Sequence, residues 1–176
     1  MFGETGILIG QILSIVAVVT GFIALQMKKP RGILFFLIVT SILFTLHYFL
    51  IGAMDAVPIN ALATVMCVVY SIRDRRGDRS WTIPIIFSIL VVLAGALAWE
   101  GWQSLFLMAG LGLNAISISL PDPQTTRKLN FIKSPLCLIY NALVFSVGGI
   151  IFETAILASS IIGLIRNRKK KDEAQE

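Results

Sequence analysis

The stretch ILIGQILSIVAVVTGFIALQ, residues 7–26, runs without a single charge, and IPIIFSILVVLAGALAW, residues 83–99, does the same. Crossing the hydrocarbon layer of a bilayer takes about 20 apolar residues wound as a helix. A closed barrel is the other way to satisfy a backbone in lipid, but its strands show segments of about ten residues with alternating polarity. These runs are continuous, so they predict helices. Only 14% of the 176 residues are charged, against about 25% in soluble domains. The chain reads as an all-α membrane protein, one polytopic domain over 1–176, with no room for a soluble domain beside it.

Polar breaks divide the chain into seven predicted helices, at about 6–27, 32–51, 55–72, 81–99, 102–120, 128–147 and 150–165. The opening MFGET carries an acid where a cleavable leader has Lys or Arg, so the first run is expected to stay as a helix. Basic residues gather between the first and second runs (Lys28, Lys29, Arg31), between the third and fourth (Arg73, Arg75, Arg76, Arg79), between the fifth and sixth (Arg127, Lys128) and after the seventh (Arg166, Arg168, Lys169, Lys170, Lys171). The other loops carry acids: Glu4, Asp55, Glu100 and, just inside the last run, Glu153. The positive-inside rule then predicts an outside N-terminus and a cytoplasmic C-terminus. Trp81, Trp99 and Trp102 fall at predicted helix ends, where amphipathic rings favour the interface.

The net charge of +5 is explained by this loop distribution, which argues against nucleic acid as a partner. The basic tail suits contact with anionic membrane lipids. Cys67 and Cys137 stand singly in apolar runs, without redox or metal spacing. One histidine, no nucleophile elbow and no phosphate-cradling glycine loop leave no catalytic residue, no metal ligand set and no cofactor to propose. Close packing accounts for the two glycines of AGLGLNA, residues 109–115.

Sliding the chain by 93 residues lays the first three runs over the last three. Pro30 meets Pro123, Ser41 meets Ser134, Leu50 meets Leu143 and Arg73 meets Arg166. A shift of four helices preserves membrane orientation, so this predicts two parallel three-helix repeats, about 6–76 and 102–171, joined by a linker helix at about 80–100.

LHYFLIGAMDAVPINALAT and IYNALVFSVGGIIFETAI, each leading into an apolar helix with a basic end, resemble the YgjV family of bacterial inner-membrane proteins, which is related to the SWEET, MtN3 and PQ-loop transporters. The resemblance spans nearly the whole chain. It implies a three-plus-one-plus-three bundle in the bacterial cytoplasmic membrane that passes sugars or other small polar solutes between its repeats. The PQ dipeptide occurs only as Pro123-Gln124, placed in a loop, and Pro30 is followed by Arg31, so SWEET-like proline hinges are absent from the first and fifth runs.

Against that frame of helices, polar residues stand out. His47 and Asn60 flank the turn near Gly52, each about 7 Å below it at about 1.5 Å per residue. In the second repeat Asn141 precedes a predicted Gly148-Gly149 turn and Glu153 follows it. The 93-residue shift pairs Asn60 with Glu153, Tyr48 with Asn141 and His47 with Tyr140, which predicts a polar layer in the outer third of the membrane. Ionisable groups in lipid face protein or water and often mark a pathway. Glu153 is read either as a cap on the last helix or as a proton or solute site. His47 is read as a helix-to-helix hydrogen-bonding residue or a ligand, and Asn60 and Asn141 as solute contacts, since amides both donate and accept. Pro58 is read as a helix start. Deeper lie Asn114 and Ser117, with Lys133 and Ser134; Lys133 is expected to snorkel to the inner surface, or else to contact an anion. Pro135 is expected to bend its helix.

His47, Tyr48, Asn60, Asn114, Tyr140, Asn141 and Glu153 are thus the candidate pathway residues. A transporter or facilitator of a small polar solute is expected, such as a sugar, polyol or organic acid, and a non-transporting receptor or assembly factor is the alternative. Homo-oligomerisation is left open.

Overall fold

The structure is a computed structural model that describes residues 3–27, 30–78, 80–120 and 122–172. Lys28, Lys29 and Arg79, used above to orient the chain, lie outside the described residues, as do the side chains of Arg31, Lys169, Lys170 and Lys171. Among the described residues there are seven helices and no strand: α1 (Gly3–Gln26), α2 (Pro30–Ile51), α3 (Ala56–Arg75), α4 (Thr82–Leu97), α5 (Ser104–Ser117), α6 (Pro123–Leu143) and α7 (Val147–Asp172). Segments Gly3–Ala24, Ala56–Arg73 and Val147–Arg168 are long and apolar enough to span a bilayer, and α4, α5 and Phe35–Ile51 of α2 are apolar but shorter.

The side chains are sorted as lipid, not water, would sort them. Outward faces carry Leu8, Phe35, Ile85, Leu105 and Ile162, all exposed. The largest fully buried side chains include His47, Asp55 and Tyr140. In water such a surface would associate at once, whereas in a bilayer the polar groups must turn inward to find partners.

Each helix packs on its chain neighbours α1 to α2, α2 to α3, α3 to α4, α4 to α5, α5 to α6 and α6 to α7. Two further contacts, α1 with α7 and α3 with α5, close the bundle into a ring. The apolar core of Ala17, Val18, Phe44, Ile59, Val91, Leu107 and Met108 fills its middle, with Tyr48 and Tyr140 among them.

Two turns shape the end of the bundle that holds Asp55, called here the acidic end. At the end of α2 the Ala53 N–H donates to the Tyr48 carbonyl (3.0 Å) and the Gly52 N–H to the Phe49 carbonyl (3.3 Å). This is the Schellman motif, with Gly52 in the left-handed conformation (φ 87°) that glycine adopts without steric cost. At the end of α6 the Ser146 N–H donates to the Asn141 carbonyl (2.8 Å) and the Phe145 N–H to the Ala142 carbonyl (3.3 Å). The same motif forms, but the left-handed residue is Phe145 (φ 55°). The predicted Gly148-Gly149 turn is therefore corrected: Val144–Ser146 make the turn, and both glycines lie in the first turn of α7.

At the opposite, basic end the sixth helix begins five residues before its predicted start. Asp122 caps it, accepting from the Gln124 and Thr125 N–H groups (3.0 Å each) and from the Thr125 hydroxyl (2.7 Å), and Pro123 occupies the first helical position, where its missing donor costs nothing. Pro123-Gln124 thus starts a helix and is not a loop. Lys133 moves with that boundary to the middle of the 21-residue α6.

Candidate functional site

Beneath the acidic end, side chains from four helices and two turns form one polar layer, buried except for Gln11 at its edge. His47 is fully buried. Its Nδ1 lies 2.8 Å from the Gly10 carbonyl of α1 and its Nε2 lies 2.7 Å from Ser146 Oγ. A carbonyl can only accept, so Nδ1 carries the proton; the Ser146 hydroxyl, which accepts from the Gly149 N–H (3.2 Å), is then free to donate to Nε2. One ring ties α1 and α2 to the start of α7.

Tyr48, the next residue on α2, reaches across the bundle and donates to Asn141 Oδ1 of α6 (2.7 Å). Asn141 returns its amide N–H to the Cys137 carbonyl one turn back (2.8 Å). The Tyr48 ring also meets Tyr140 edge-on at 6.2 Å between centroids, and the Phe44 ring at 6.1 Å. Tyr140 donates to Asp55 Oδ1, and Ser104 at the start of α5 donates to Asp55 Oδ2, both at 2.5 Å. Asp55 is 1% exposed, a carboxylate held out of lipid by two hydroxyl donors. Gln11 of α1 completes the layer, donating to the Phe145 carbonyl (2.6 Å) and accepting from the Val147 N–H (3.2 Å), which holds the turn whose left-handed phenylalanine costs about 1 kcal/mol.

Glycine makes the close approach between α6 and α7 possible. A Cβ on Gly149 would sit 2.1 Å from Asn141 Oδ1, so no larger residue can hold that backbone against the amide.

Four of the seven candidates, His47, Tyr48, Tyr140 and Asn141, therefore share this layer. Asn60 does not bond into it: it is half-buried and donates to the Ala56 carbonyl of its own helix (3.0 Å). Glu153 lies six residues into α7, deeper than the predicted boundary placed it, and is 7% exposed. It is close enough to Tyr48 and Cys137 to act on both electrostatically, yet its Oε2 has no hydrogen-bond partner. That depth removes the reading of Glu153 as a first-turn cap.

Asn114 joins a separate group. Its Oδ1 accepts from the Lys133 ammonium at 3.2 Å, and Lys133 is 5% exposed. Snorkelling is thus corrected: from the middle of α6 the side chain turns into the bundle and does not reach the surface. Ser117 Oγ and Ser134 Oγ are also buried and have no partner.

Asp55, Ser104, Ser146 and Gln11 escaped the sequence reading. The sequence reading sets Asp55 at the start of the third predicted helix, 55–72, among the acids of that end, and not among the pathway residues. Ser104 and Ser146 carry no sequence signal that separates them from other serines.

A polar interior inside an apolar shell is the arrangement of an integral membrane protein, and comparison with known proteins gives it a family. The family model described as Imp-YgjV, bacterial inner membrane protein, matches residues 8–171. The chain belongs to the Imp-YgjV family. It is a bacterial inner-membrane protein, and its several apolar helices suit a multi-pass chain. No curated protein and no solved structure matches it. For an Imp-YgjV chain, then, the buried layer is the feature to interpret.

Proposed function

We propose that this Imp-YgjV chain is a transporter or facilitator of a small polar solute, built as two three-helix repeats that rock against each other, with α4 as the linker. All seven helices cross the membrane in this reading, with the acidic end outside and the C-terminus cytoplasmic. The observation that carries it is the Tyr48–Asn141 hydrogen bond. The two residues are 93 apart, so each is the other's counterpart in the repeat, and equivalent positions that touch lie on the axis relating the halves.

The neighbouring contacts follow the same offset. Gly52 and Phe145 (145 − 52 = 93) take the same left-handed turn. Ser104 and Gln11 (104 − 11 = 93) each bond the loop ahead of the third helix of the other repeat, through Asp55 and Phe145. The contacts α1 with α7 and α5 with α3 exchange under the swap as well. Parallel repeats about an axis along the membrane normal place solute sites at their interface. Here that seam is joined by hydrogen bonds between side chains, which can part and reform with a solute's hydroxyls or amides in their place. The layer is then an outer gate in its closed arrangement, with Glu153 beneath it as a pathway group.

A second reading has its own support. Tyr48 and Asn141 are satisfied by each other, His47 by Ser146, Tyr140 by Asp55, and His47 and Asn141 also by backbone, as in a permanent structural plate. That favours a non-transporting bundle that holds a partner or lipid.

Solute uptake into proteoliposomes separates the two. Neutral sugars, polyols and small organic acids are offered to the unaltered protein, Tyr48→Phe and Glu153→Gln. Saturable flux that both substitutions reduce at least tenfold, with folding preserved, supports the gate. Absence of flux for every class, from folded and inserted protein, leaves the structural plate.

A further inference from the structure

Lys133 presents a problem that its surroundings do not solve. Its ammonium sits at the middle of a 21-residue helix, ten residues from either end, or about 15 Å along the axis. The side chain is 5% exposed there. Among the described residues no carboxylate is within ion-pair distance of it. Glu153 acts on the Cys137 thiol from the same interior, as Lys133 does, without pairing with the ammonium, whose hydrogen bond goes to a neutral amide, Asn114 Oδ1. An ammonium has three donors and a full charge, and low-dielectric surroundings make an uncompensated charge expensive.

The hydroxyls nearby in sequence are idle too. Ser117 follows Asn114 by three residues on α5, and so shares its face. Ser134 is next to Lys133 on α6. Both hydroxyls are buried, at 1% and 0% exposure, and both lack any partner. A buried hydroxyl without a partner is rare in a settled interior. The Lys133–Asn114 bond holds the two helices together at this level.

We propose that Lys133, Asn114, Ser117 and Ser134 bind the carboxylate of a small, singly charged organic anion. One ammonium neutralises one negative charge, so a monocarboxylate leaves the site neutral, whereas the second charge of a phosphate dianion would stay uncompensated in the bundle. The carboxylate accepts from Nζ and from the two serine hydroxyls, and the Asn114 amide, freed by rotation of its Oδ1 away from the ammonium, donates from Nδ2. This names the solute class for the transport reading and rests on it for its place in the pathway.

Thermal unfolding of the purified, detergent-solubilised protein is followed against acetate, lactate, inorganic phosphate and glucose, alongside uptake of labelled lactate and glucose into proteoliposomes. Acetate or lactate raises the midpoint saturably, phosphate and glucose do not, and Lys133→Gln weakens the carboxylate effect at least tenfold. Asn114→Asp guards against misfolding as an explanation, because it places a tethered carboxylate on the ammonium. That variant keeps or raises the midpoint of the ligand-free protein and no longer responds to acetate or lactate. An Asn114→Asp or Lys133→Gln protein that responds like the unaltered one overturns the site, as does an unaltered protein indifferent to both carboxylates. Glucose uptake without carboxylate binding overturns this site and leaves the transport reading standing; carboxylate binding without lactate flux supports the site and counts against transport of that carboxylate.

Discussion

The two polar regions of this bundle hold similar residue types and differ in whether they are satisfied. At the acidic end His47 bonds Ser146, Tyr48 bonds Asn141, and Asp55 accepts from Tyr140 and Ser104, with His47 and Asn141 also bonded to backbone. Around Lys133 there is one bond to an amide, and Ser117 and Ser134, near Asn114 and Lys133 in sequence, hold idle hydroxyls. A satisfied buried network rigidifies, and a half-satisfied one costs stability. The first region is therefore expected to hold the fold together, and the second to be held by it. Substitutions in the two should move stability in opposite directions.

The largest effect is expected at Gly149→Ala. The new methyl would lie 2.1 Å from Asn141 Oδ1 and 2.7 Å from Ser146 Oγ, so the Tyr48–Asn141 and Ser146–His47 bonds must both shift. Overpacking alone costs about 1–3 kcal/mol, and the broken bonds add to it. Thermal unfolding in detergent should fall by about 10 °C, and an unchanged midpoint would show that the layer is looser than its geometry implies.

Next comes Asp55→Ala, which leaves the Tyr140 and Ser104 hydroxyls buried without an acceptor. A stranded buried polar group costs about 1–3 kcal/mol. Asp55→Asn keeps an acceptor for one of the two donors and should lose about half as much. Equal losses in both variants would mean that charge, and not hydrogen bonding, holds this corner.

Lys133→Met tests the other half of the comparison. Removing a buried charge that lacks a counterion takes away an insertion cost of about 2.5–3.5 kcal/mol at a helix centre, while the lost bond to Asn114 returns part of it. The ligand-free protein should keep or raise its unfolding midpoint, by about 3 °C. A clear loss of stability would place Lys133 among the structural residues and erase the contrast.

How much of this could be read from the sequence depends on what each residue does. The number of helices and the 93-residue offset follow from apolar length and spacing, which act locally. The matching left-handed turns did not show, because a glycine at 52 advertises its role and a phenylalanine at 145 does not. Gly148 and Gly149 looked like a turn for the same reason, yet their missing side chains serve helix contact, a property of the partner surfaces Ser14 and Asn141. Lys133 was misplaced by one local signal: Asp122-Pro123 opens a helix, and reading it as loop moved the lysine to the end of its helix, where snorkelling is the natural fate. Asn60 was legible as a polar residue near the turn, but nothing local showed that its amide would bond its own helix at the Ala56 carbonyl.

That same cap supplies the smallest effect. Asp122 is exposed, and its hydrogen bonds from the Thr125 hydroxyl and from the Gln124 and Thr125 N–H groups hold its carboxyl below the ordinary value of 3.8. A group whose pKa is lower folded than unfolded stabilises the fold above its unfolded value, and that contribution is lost as pH falls through the folded one. At neutral pH the cap is therefore fully engaged, and only strong acid releases it. Amide exchange at Gln124 and Thr125 should stay slow from neutral pH down to the usual carboxylate range and quicken, after correction for intrinsic rates, below it. Asp122→Asn should flatten that dependence and leave exchange around Tyr48 and Asn141 unchanged, since the cap acts on the first turn of α6 and the layer lies at its other end. If the substitution also loosens Asn141, then α6 transmits a disturbance along its whole length, and the two polar regions would be coupled through the helix they share.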